Sequence, residues 1–342
     1  MVRSNVKKIL IIKLRGIGDV VLSTVVLKNL KKDFPDAAID YLTEPPSLKF
    51  LKKIPLLNNI LFYNKKTFFG GISIIFKIML RRYDLVFDLY SNPHTALITF
   101  LSLAKYRAGF PYRGRSFSYN LKGPAERNIY HNAQLNLELL KKIGLTADEK
   151  DLFFGLDEAD KEFAEKFFLS NFSTNKNIVG LSPSGGWQSK KCDPVKFAEI
   201  GDAIAEKYNS NILIVWGPND YEDALKIKKS MKHNSILAPQ TDIGEMAALI
   251  AKCTFIIAND SGPMHIATAL NTPVLSLHGP TDPKLQGPFG QKHEWIRLDE
   301  LECIGCNLLV CTKNHECFLE LPIEKIMEKV SLLIKKNNLK IN

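Results

Sequence analysis

The chain has 342 residues, 45% of them hydrophobic, which suits two ordinary globular domains with proper cores. No run of 18 apolar residues occurs and no cleavage site follows the short apolar stretch near the N-terminus, so a transmembrane helix and a signal peptide are excluded and a soluble, cytoplasmic protein is expected. The net charge of +10 lies entirely in the first half: residues 1–170 carry 27 basic against 17 acidic residues, whereas residues 171–342 carry 19 of each.

The first predicted element is a buried strand at residues 9–12, followed by a glycine-rich turn and a helix. Gly16 and Gly18 supply two glycines of a dinucleotide-binding turn, but Val21 stands where the third would be, so the fingerprint is incomplete. Asp19 follows the turn, where a carboxylate serves either as a general base facing a cleft or as a helix N-cap. The residues alone leave both interpretations of Asp19 open.

Strand patterns alternate with helical patterns along the rest of the chain, which predicts an α/β protein with two Rossmann-like domains, each a doubly wound parallel sheet. Open sheets bind ligands beyond the carboxyl ends of their strands, so the domains are expected to face a central cleft. The domains are predicted at residues 1–172 and 173–320, with a last helix within 321–342 that packs back toward the first domain. The predicted strands are 9–12, 39–42, 60–63, 85–89, 108–110, 178–182, 212–216, 255–258 and 273–278, and the main predicted helices are 20–32, 72–82, 96–103, 134–143, 194–208, 222–232, 243–251 and 263–270.

The segment after the predicted strand at 255–258 has the residue types of an anion site. Asp260 or Ser261 is suited to cap the helix that begins there, and Gly262 lets a ligand approach the backbone closely. N–H groups at a helix N-terminus point outward, and the helix dipole favours negative charge. His265 falls in the first turn, within reach of the same ligand. The segment predicts a site for a phosphate-bearing ligand such as a nucleotide, with an ordinary helix cap as the alternative.

Six short motifs are spread along the chain: Gly18-Asp19-Val20, residues 83–89, Pro183-Ser184-Gly185, Ser189-Lys190-Lys191, residues 259–265 and residues 277–281. Together they resemble, nearly end to end, the glycosyltransferase family that contains the ADP-heptose:lipopolysaccharide heptosyltransferases. The resemblance implies a GT-B fold, with the acceptor bound by the first domain and the nucleotide sugar by the second. It also implies an inverting transfer that needs no catalytic metal.

The resemblance assigns the chemistry to two residues. Asp19 is expected to deprotonate the acceptor hydroxyl, and Lys190 to meet the charge that develops on the leaving diphosphate. Glu222 is expected to bind the ribose hydroxyls, with Asp220 as the alternative. The family's Trp-Pro pair is Cys192-Asp193 here, which is expected to change the packing near Lys190. The expected donor-binding residues are Ser184, Gly185, Lys190, Gly217, Glu222, Asn259, Asp260, Ser261, Gly262 and His265.

The basic first half is expected to bind the acceptor. Lipopolysaccharide inner core carries carboxylates and phosphates, which arginine side chains match well, although a solvated loop is the alternative for any one arginine. We therefore expect an anionic glycolipid partner, reached by a monomeric enzyme at the inner-membrane surface; without a nucleic-acid motif, nucleic acid is not expected. The expected acceptor-binding residues are Gly18, Arg107, Arg113 and Arg115.

Four cysteines fall close together near the C-terminus, with spacing compact enough for a structural zinc site. They are Cys303, Cys306, Cys311 and Cys317. Reduced thiols or a redox-labile pair are the alternatives, because stable disulfides are not expected in the cytoplasm. In every case the cysteine cluster is expected to lie outside the catalytic site. The only small molecule that the enzyme is expected to require is the nucleotide-sugar donor, with ADP-heptose as the best candidate.

The favoured function is transfer of heptose from ADP-heptose onto lipopolysaccharide inner core. The nearest alternative uses another nucleotide sugar or a different surface glycan. An NAD-dependent oxidoreductase would have to use Asp40 as its ribose ligand. A non-catalytic basic protein that binds membranes or nucleic acid would have no need of Asp19 or of the turn at Asp260.

Overall fold

The computed structural model describes residues 5–63, 68–126, 128–172 and 176–341. The chain divides into two units, Met1–Gly155 and Leu156–Asn342. The division thus precedes helix α7 (Glu158–Asn171) instead of following residue 172, and residues 173–175, where the predicted boundary falls, lie outside the described part of the chain. Helix α7 belongs to the second unit because it packs tightly on another helix of that unit: a Cβ on Gly244 would come within 2.5 Å of the Asp160 carboxylate.

The first unit is a six-stranded parallel sheet in the order β3-β2-β1-β4-β5-β6. Strand β1 pairs with β2 on one side and with β4 on the other, so the strand order reverses between β1 and β4. Ligands of open α/β sheets bind at this reversal. The strands are β1 Lys8–Ile12, β2 Ala38–Thr43, β3 Asn59–Phe62, β4 Leu85–Asp88, β5 Tyr106–Gly109 and β6 Leu121–Lys122, and the helices are α1 Ile17–Ser23, α2 Val26–Asp33, α3 Pro45–Leu51, α4 Phe68–Arg81, α5 Pro93–Leu101 and α6 Asn132–Lys142.

The second unit repeats this topology, with the order β12-β11-β10-β7-β8-β9. Here the reversal lies between β7 and β10, where Ser182 is paired with Ala258. The two sheets confirm the predicted doubly wound architecture. The remaining strands are β7 Ile178–Ser182, β8 Asn211–Ile214, β9 Ser235–Leu237, β10 Phe255–Asn259, β11 Val274–Leu277 and β12 Glu294–Ile296, and the helices after α7 are α8 Pro194–Tyr208, α9 Tyr221–Ser230, α10 Ile243–Lys252, α11 Gly262–Ala269, α12 Pro283–Gln286, α13 Glu316–Leu319 and α14 Ile323–Lys336.

Two local features differ from the sequence expectation. The helix predicted at 20–32 is broken into α1 and α2, because Thr24 turns the chain: its N–H and its hydroxyl both donate to the Val21 carbonyl. The three unpredicted strands, β6, β9 and β12, are the edges of their sheets and have two or three residues each. Strands this short carry too little apolar alternation to register as a pattern.

The C-terminal helix α14 completes the core of the second unit. Its buried side chains Ile326, Val330 and Leu333 pack with the residues of that core, and the helix contacts α8, β11 and β12. That this helix also packs back toward the first domain stays a prediction. Within the described residues, no helix is both long enough and apolar enough to cross a membrane.

Candidate functional site

The predicted donor residues gather where the strand order of the second unit reverses. Asn259, the last residue of β10, holds the loops together from a fully buried position. Its side-chain oxygen accepts a hydrogen bond from the Cys192 N–H (3.3 Å), and its amide donates to the Pro183 carbonyl (2.9 Å). One amide therefore fixes the Pro-Ser-Gly turn and the lysine motif against the end of β10.

Lys190 and Asp260 form a buried ion pair at this point. The Lys190 Nζ lies 2.7 Å from the Asp260 Oδ2, and the two side chains are 8% and 5% exposed. The ammonium also lies 4.0 Å from the centroid of the Trp187 ring, a cation–π contact. Because a buried charge needs a partner, the pair holds Lys190 in one place before any ligand arrives.

The Asp260 carboxylate also accepts a 2.7 Å hydrogen bond from the Thr281 hydroxyl, whose oxygen lies 3.4 Å from His278 Nδ1. Burial alone would raise the pKa of Asp260, but His278, Lys190 and His265 together outweigh burial and hold that pKa below its usual range. Burial lowers the pKa of His278 to about 4, so this ring is uncharged at neutral pH, where the Lys190 ammonium lies 2.7 Å from the Asp260 carboxylate. Sequence reasoning missed the role of Thr281, although the motif at 277–281 was its signal.

Helix α11 begins directly after this pair. Its N-cap is Ser261, whose side chain makes no capping hydrogen bond and instead contacts the Asn259 carbonyl (3.3 Å). Of the two predicted caps, Ser261 is the N-cap by position but without a side-chain hydrogen bond, and Asp260 is not the cap, because Lys190 and Thr281 engage its carboxylate. Gly262 opens the helix beside Lys190, and His265 is buried in the first turn. A cation and the positive end of a helix dipole thus adjoin.

The remaining predicted donor residues lie around Lys191. A Cβ on Gly185 would come within 2.5 Å of the Lys191 side chain, which extends past this glycine to Asp220 (2.7 Å) and Asp223 (2.8 Å). Because Asp220 is engaged in this way, Glu222 is the better candidate for a ribose ligand. Gly217 lies close to the buried Ser184, since a Cβ there would be 3.7 Å from the serine hydroxyl.

Glu222 is exposed in the first turn of α9, next to a cleft of about 560 Å³. Volumes of this order accommodate small ligands. The cleft was not predicted, because four of its seven lining residues lie at the end of the unpredicted edge strand β9 or directly after it. It is lined by Trp216, Pro218, Tyr221, Leu237, Ala238, Pro239 and Gln240.

The cysteine segment, residues 303–317, lies against the 3₁₀ helix Gln188–Lys190. The N–H of Ser189 donates to the Leu309 carbonyl, and the Gln188 side chain accepts from the Cys311 N–H (2.9 Å). The Gln188 amide donates to His315 Nε2 (2.8 Å), so Nδ1 of that ring donates to the Lys191 carbonyl (3.2 Å). The sequence did not predict the contact between Gln188 and His315, because the two residues are 127 positions apart and no motif contains both.

All four clustered cysteines are free thiols. Across the described ranges, no three His, Cys, Asp or Glu side chains are placed so that they could hold a metal ion. The zinc ligand set predicted from spacing therefore gains no support. The segment instead contacts the helix that carries Lys190.

Asp19 lies at the strand reversal of the first unit. Helix α1 starts at Ile17 with Gly16 as its N-cap, so Asp19 is inside the first turn and is not the N-cap. Its side chain is 43% exposed, and the Lys13 Nζ lies 4.0 Å from its Oδ1. Gly16 has φ +74°, and a Cβ there would lie 2.9 Å from the carboxylate. The glycine turn thus leaves an accessible carboxylate next to the buried Gly18.

The three predicted acceptor arginines differ in environment. Arg107 donates to the carbonyls of Ala104 (2.8 Å) and Ser118 (3.1 Å), so it braces the chain around β5. Arg113 and Arg115 follow the carboxyl end of β5, where Arg113 is exposed and Arg115 partly buried. Only the latter two therefore have the placement expected of an acceptor contact.

Comparisons with known proteins agree with the site. Residues 73–315 match the sequence model of the family described as glycosyltransferase family 9 (heptosyltransferase). The lipopolysaccharide core heptosyltransferase OpsX of Haemophilus influenzae is 24% identical over 301 residues, covering 86% of this chain and 85% of that protein.

Two solved structures share the fold. A glycosyl transferase family 9 protein from Veillonella parvula superposes with a TM-score of 0.84 at 21% identity, covering 96% of this chain and 97% of that one. The ADP-heptose LPS heptosyltransferase II of E. coli superposes with a TM-score of 0.77 at 21% identity, covering 97% and 99%. At these identities the likeness establishes the fold, and it confirms the predicted GT-B class.

Proposed function

The chain belongs to glycosyltransferase family 9, the heptosyltransferase family, and from this premise we propose that it moves a heptose from ADP-heptose onto the inner core of lipopolysaccharide. The observation that carries the proposal is the buried Lys190–Asp260 pair at the start of α11. A fixed cation beside a helix N-terminus suits a diphosphate. The relatives support the choice of substrates, since one is named a lipopolysaccharide core heptosyltransferase and another an ADP-heptose LPS heptosyltransferase.

The donor is assigned to the second unit and the acceptor to the first. Asp19 takes the proton of the acceptor hydroxyl while that oxygen bonds to the anomeric carbon of the heptose. The bond from this carbon to the diphosphate oxygen breaks, ADP leaves with the electron pair, and the configuration inverts. Lys190 and the first amides of α11 stabilise the charge that develops on ADP. The half-exposed carboxylate of Asp19 supports its assignment as the base.

No catalytic metal is required in this mechanism, because Lys190 supplies the cation that a divalent ion would otherwise provide. Brief treatment with EDTA is expected to leave the transfer rate unchanged. Loss of activity at an unchanged melting temperature, restored by Mg²⁺, would overturn this part of the proposal.

The acceptor is an anionic glycolipid, bound through Gly18, Arg113 and Arg115 by a monomeric enzyme lying peripherally on the cytoplasmic face of the inner membrane. The charge distribution supports this assignment, since the whole net charge of +10 is in the first half of the chain. Arginine side chains pair well with the phosphates and carboxylates of such a glycolipid.

The oxidoreductase alternative is disfavoured by the state of Asp40. Its carboxylate already accepts hydrogen bonds from Arg81 (2.6 Å), Tyr83 (2.6 Å) and Asn59 (2.9 Å). A ribose ligand for a nicotinamide cofactor would have to displace these partners. Another nucleotide sugar or another glycan acceptor remains the nearest rival.

A thermal-shift series followed by a transfer assay tests the proposal. ADP-heptose is expected to raise the melting temperature, whereas UDP-sugars and NAD leave it unchanged, because only a ligand bound by the folded state stabilises it. Transfer to heptose-deficient inner core is then followed by NMR of the new anomeric centre. Retained configuration, or stabilisation by a UDP-sugar or NAD alone, would reject the proposal.

A further inference from the structure

Helix α4 of the first unit is apolar on both of its faces. Ile74 and Ile78 point into the core and are 4% and 0% exposed. On the opposite side, Ile72, Phe76 and Leu80 are 46%, 60% and 82% exposed. Their spacing of four residues places them in one stripe along the helix. A surface helix normally has a polar outer face, so this stripe calls for an apolar partner.

The stripe continues onto neighbouring elements. Helix α5 packs on α4 and exposes Leu97 (46%) and Phe100 (43%). Leu103, just beyond α5, is 72% exposed, and Phe117 packs edge-on against Phe100 with ring centroids 5.6 Å apart. We call these side chains, together with the stripe on α4, the exposed apolar face. The exposed apolar face thus has seven large side chains on two packed helices and the residues after them, and exposed apolar groups in such number mark an interaction surface.

The segment that carries the exposed apolar face is basic. Residues 68–117 contain seven basic and two acidic residues. Both acids are committed elsewhere: Asp84 accepts hydrogen bonds from the N–H groups of Lys7 and Lys8, and Asp88 is fully buried. Arg81 is paired with Asp40. The exposed cations of this segment are Lys77 on α4, Arg82 directly after it, and Lys105 and Arg113 close in sequence to Leu103 and Phe117.

We propose that the exposed apolar face docks on an anionic phospholipid bilayer, with its aliphatic and aromatic side chains at the boundary between headgroups and acyl chains and its basic rim on the lipid phosphates. Apolar side chains within a ring of Lys and Arg are the chemistry that binds such surfaces. The inference rests on the proposed function, in which the acceptor is lipid-anchored, and it names the surface that would meet the lipid. Pairing with a second copy is disfavoured, because two basic rims would be brought together.

Vesicle flotation tests this inference without any sugar donor. The triple variant Phe76→Ser/Leu80→Ser/Leu103→Ser is expected to bind phosphatidylglycerol-containing vesicles at least about tenfold more weakly than the parent protein, since three large apolar side chains lose their burial in the bilayer. The matched control is Leu169→Ser/Val195→Ser/Leu332→Ser, which alters exposed apolar residues of the second unit and should bind as the parent does. Phosphatidylcholine vesicles or high salt should weaken binding by the parent protein.

Activity assays separate this inference from the proposed function. The triple variant should keep its rate on a water-soluble, acyl-free acceptor and lose it on acceptor embedded in vesicles. Failure of all variants to use ADP-heptose would reject the proposed function while leaving the vesicle result intact. Unchanged vesicle binding by the triple variant would overturn the docking face, as would a parent dimer that the triple change dissociates.

A spectroscopic variant covers the case in which the triple variant does not fold. In Leu80→Trp the new indole replaces an exposed side chain and should leave the core intact. Its emission, measured as the difference from the parent protein, is expected to shift to the blue with phosphatidylglycerol vesicles and to be quenched by brominated acyl chains. The absence of both changes would overturn the proposal.

Discussion

The two units share one topology but differ in how their candidate site residues are held. In the second unit Lys190 and Asp260 are buried and paired through their side chains, and the buried Asn259 side chain bonds the backbone of Cys192 and Pro183. In the first unit Asp19 is half exposed, and Lys13 is 4.0 Å away. In the proposed mechanism the second unit is therefore organised in advance to hold the diphosphate of the donor, whereas the first unit leaves the Asp19 carboxylate open to the acceptor hydroxyl.

The largest effect should come from Asp19→Asn, which keeps the shape of the open site and removes its basicity. Transfer is expected to fall by about 10²–10⁴-fold, the usual contribution of a general base, with donor affinity and melting temperature unchanged. Steady-state kinetics and a thermal shift with ADP-heptose measure both quantities. Asp36→Asn, at an exposed acid of the same unit, is the control. Near-normal turnover by Asp19→Asn would show that the open carboxylate is not the base.

Lys190→Ala tests the buried Lys190–Asp260 ion pair of the second unit. Because it leaves Asp260 buried without its cation, unfolding free energy should fall by about 3 kcal/mol, and donor affinity should fall as well. Lys191→Ala is the matched control: its side chain is 26% exposed, so its loss should cost on the order of 1 kcal/mol. Denaturant titrations and donor-binding isotherms give the two quantities.

The double variant Lys190→Ala/Asp260→Asn separates stability from binding. Removing the stranded charge should restore most of the stability but not the donor affinity, since the diphosphate still lacks its cation. Equal losses for Lys190→Ala and Lys191→Ala would mean that the buried pair is not the diphosphate site.

A smaller effect is expected from His315→Ala, which removes two hydrogen bonds that hold the Lys190 helix from the cysteine segment. The donor KM should rise about two- to tenfold with kcat nearly constant, at about 0.5–1.5 kcal/mol per hydrogen bond. Lys313→Ala, exposed in the same segment, is the control. A fall in kcat with an unchanged donor KM would contradict a positioning role for His315.

The smallest effect is expected in the first unit, at the two arginines that follow β5. Charge reversal at Arg113 and Arg115 should raise the acceptor KM several-fold and make it less sensitive to salt, because charges that solvent reaches act weakly and are screened. Arg107→Ala should lower the melting temperature instead, since its guanidinium holds two backbone carbonyls. An acceptor KM that responds to Arg107→Ala but not to the charge reversal would invert this assignment.

Local patterns allowed most of the fold to be predicted. Helix α8 was expected at 194–208 and is found at Pro194–Tyr208, because a proline start and amphipathic spacing are properties of adjacent residues. The break at Thr24 and the edge strands β6, β9 and β12 were not predicted. The first depends on one side chain bonding to the backbone, and the edge strands form only because a sheet already stands beside them.

The candidate site likewise has features that the sequence predicted and features that it did not. The sequence by itself determined where the loops of the site lie. The glycine-containing turns that form them follow predicted strands, and they contain Gly16, Gly18 and Gly262. Only the tertiary structure decided that Asp260 pairs with Lys190 instead of capping α11, that Arg107 braces the chain around β5, and that His315 holds the Lys190 helix. These outcomes depend on which groups the fold brings side by side, which local patterns do not encode. For the Lys190–Asp260 pair burial adds a further reason, because a buried charge needs a partner.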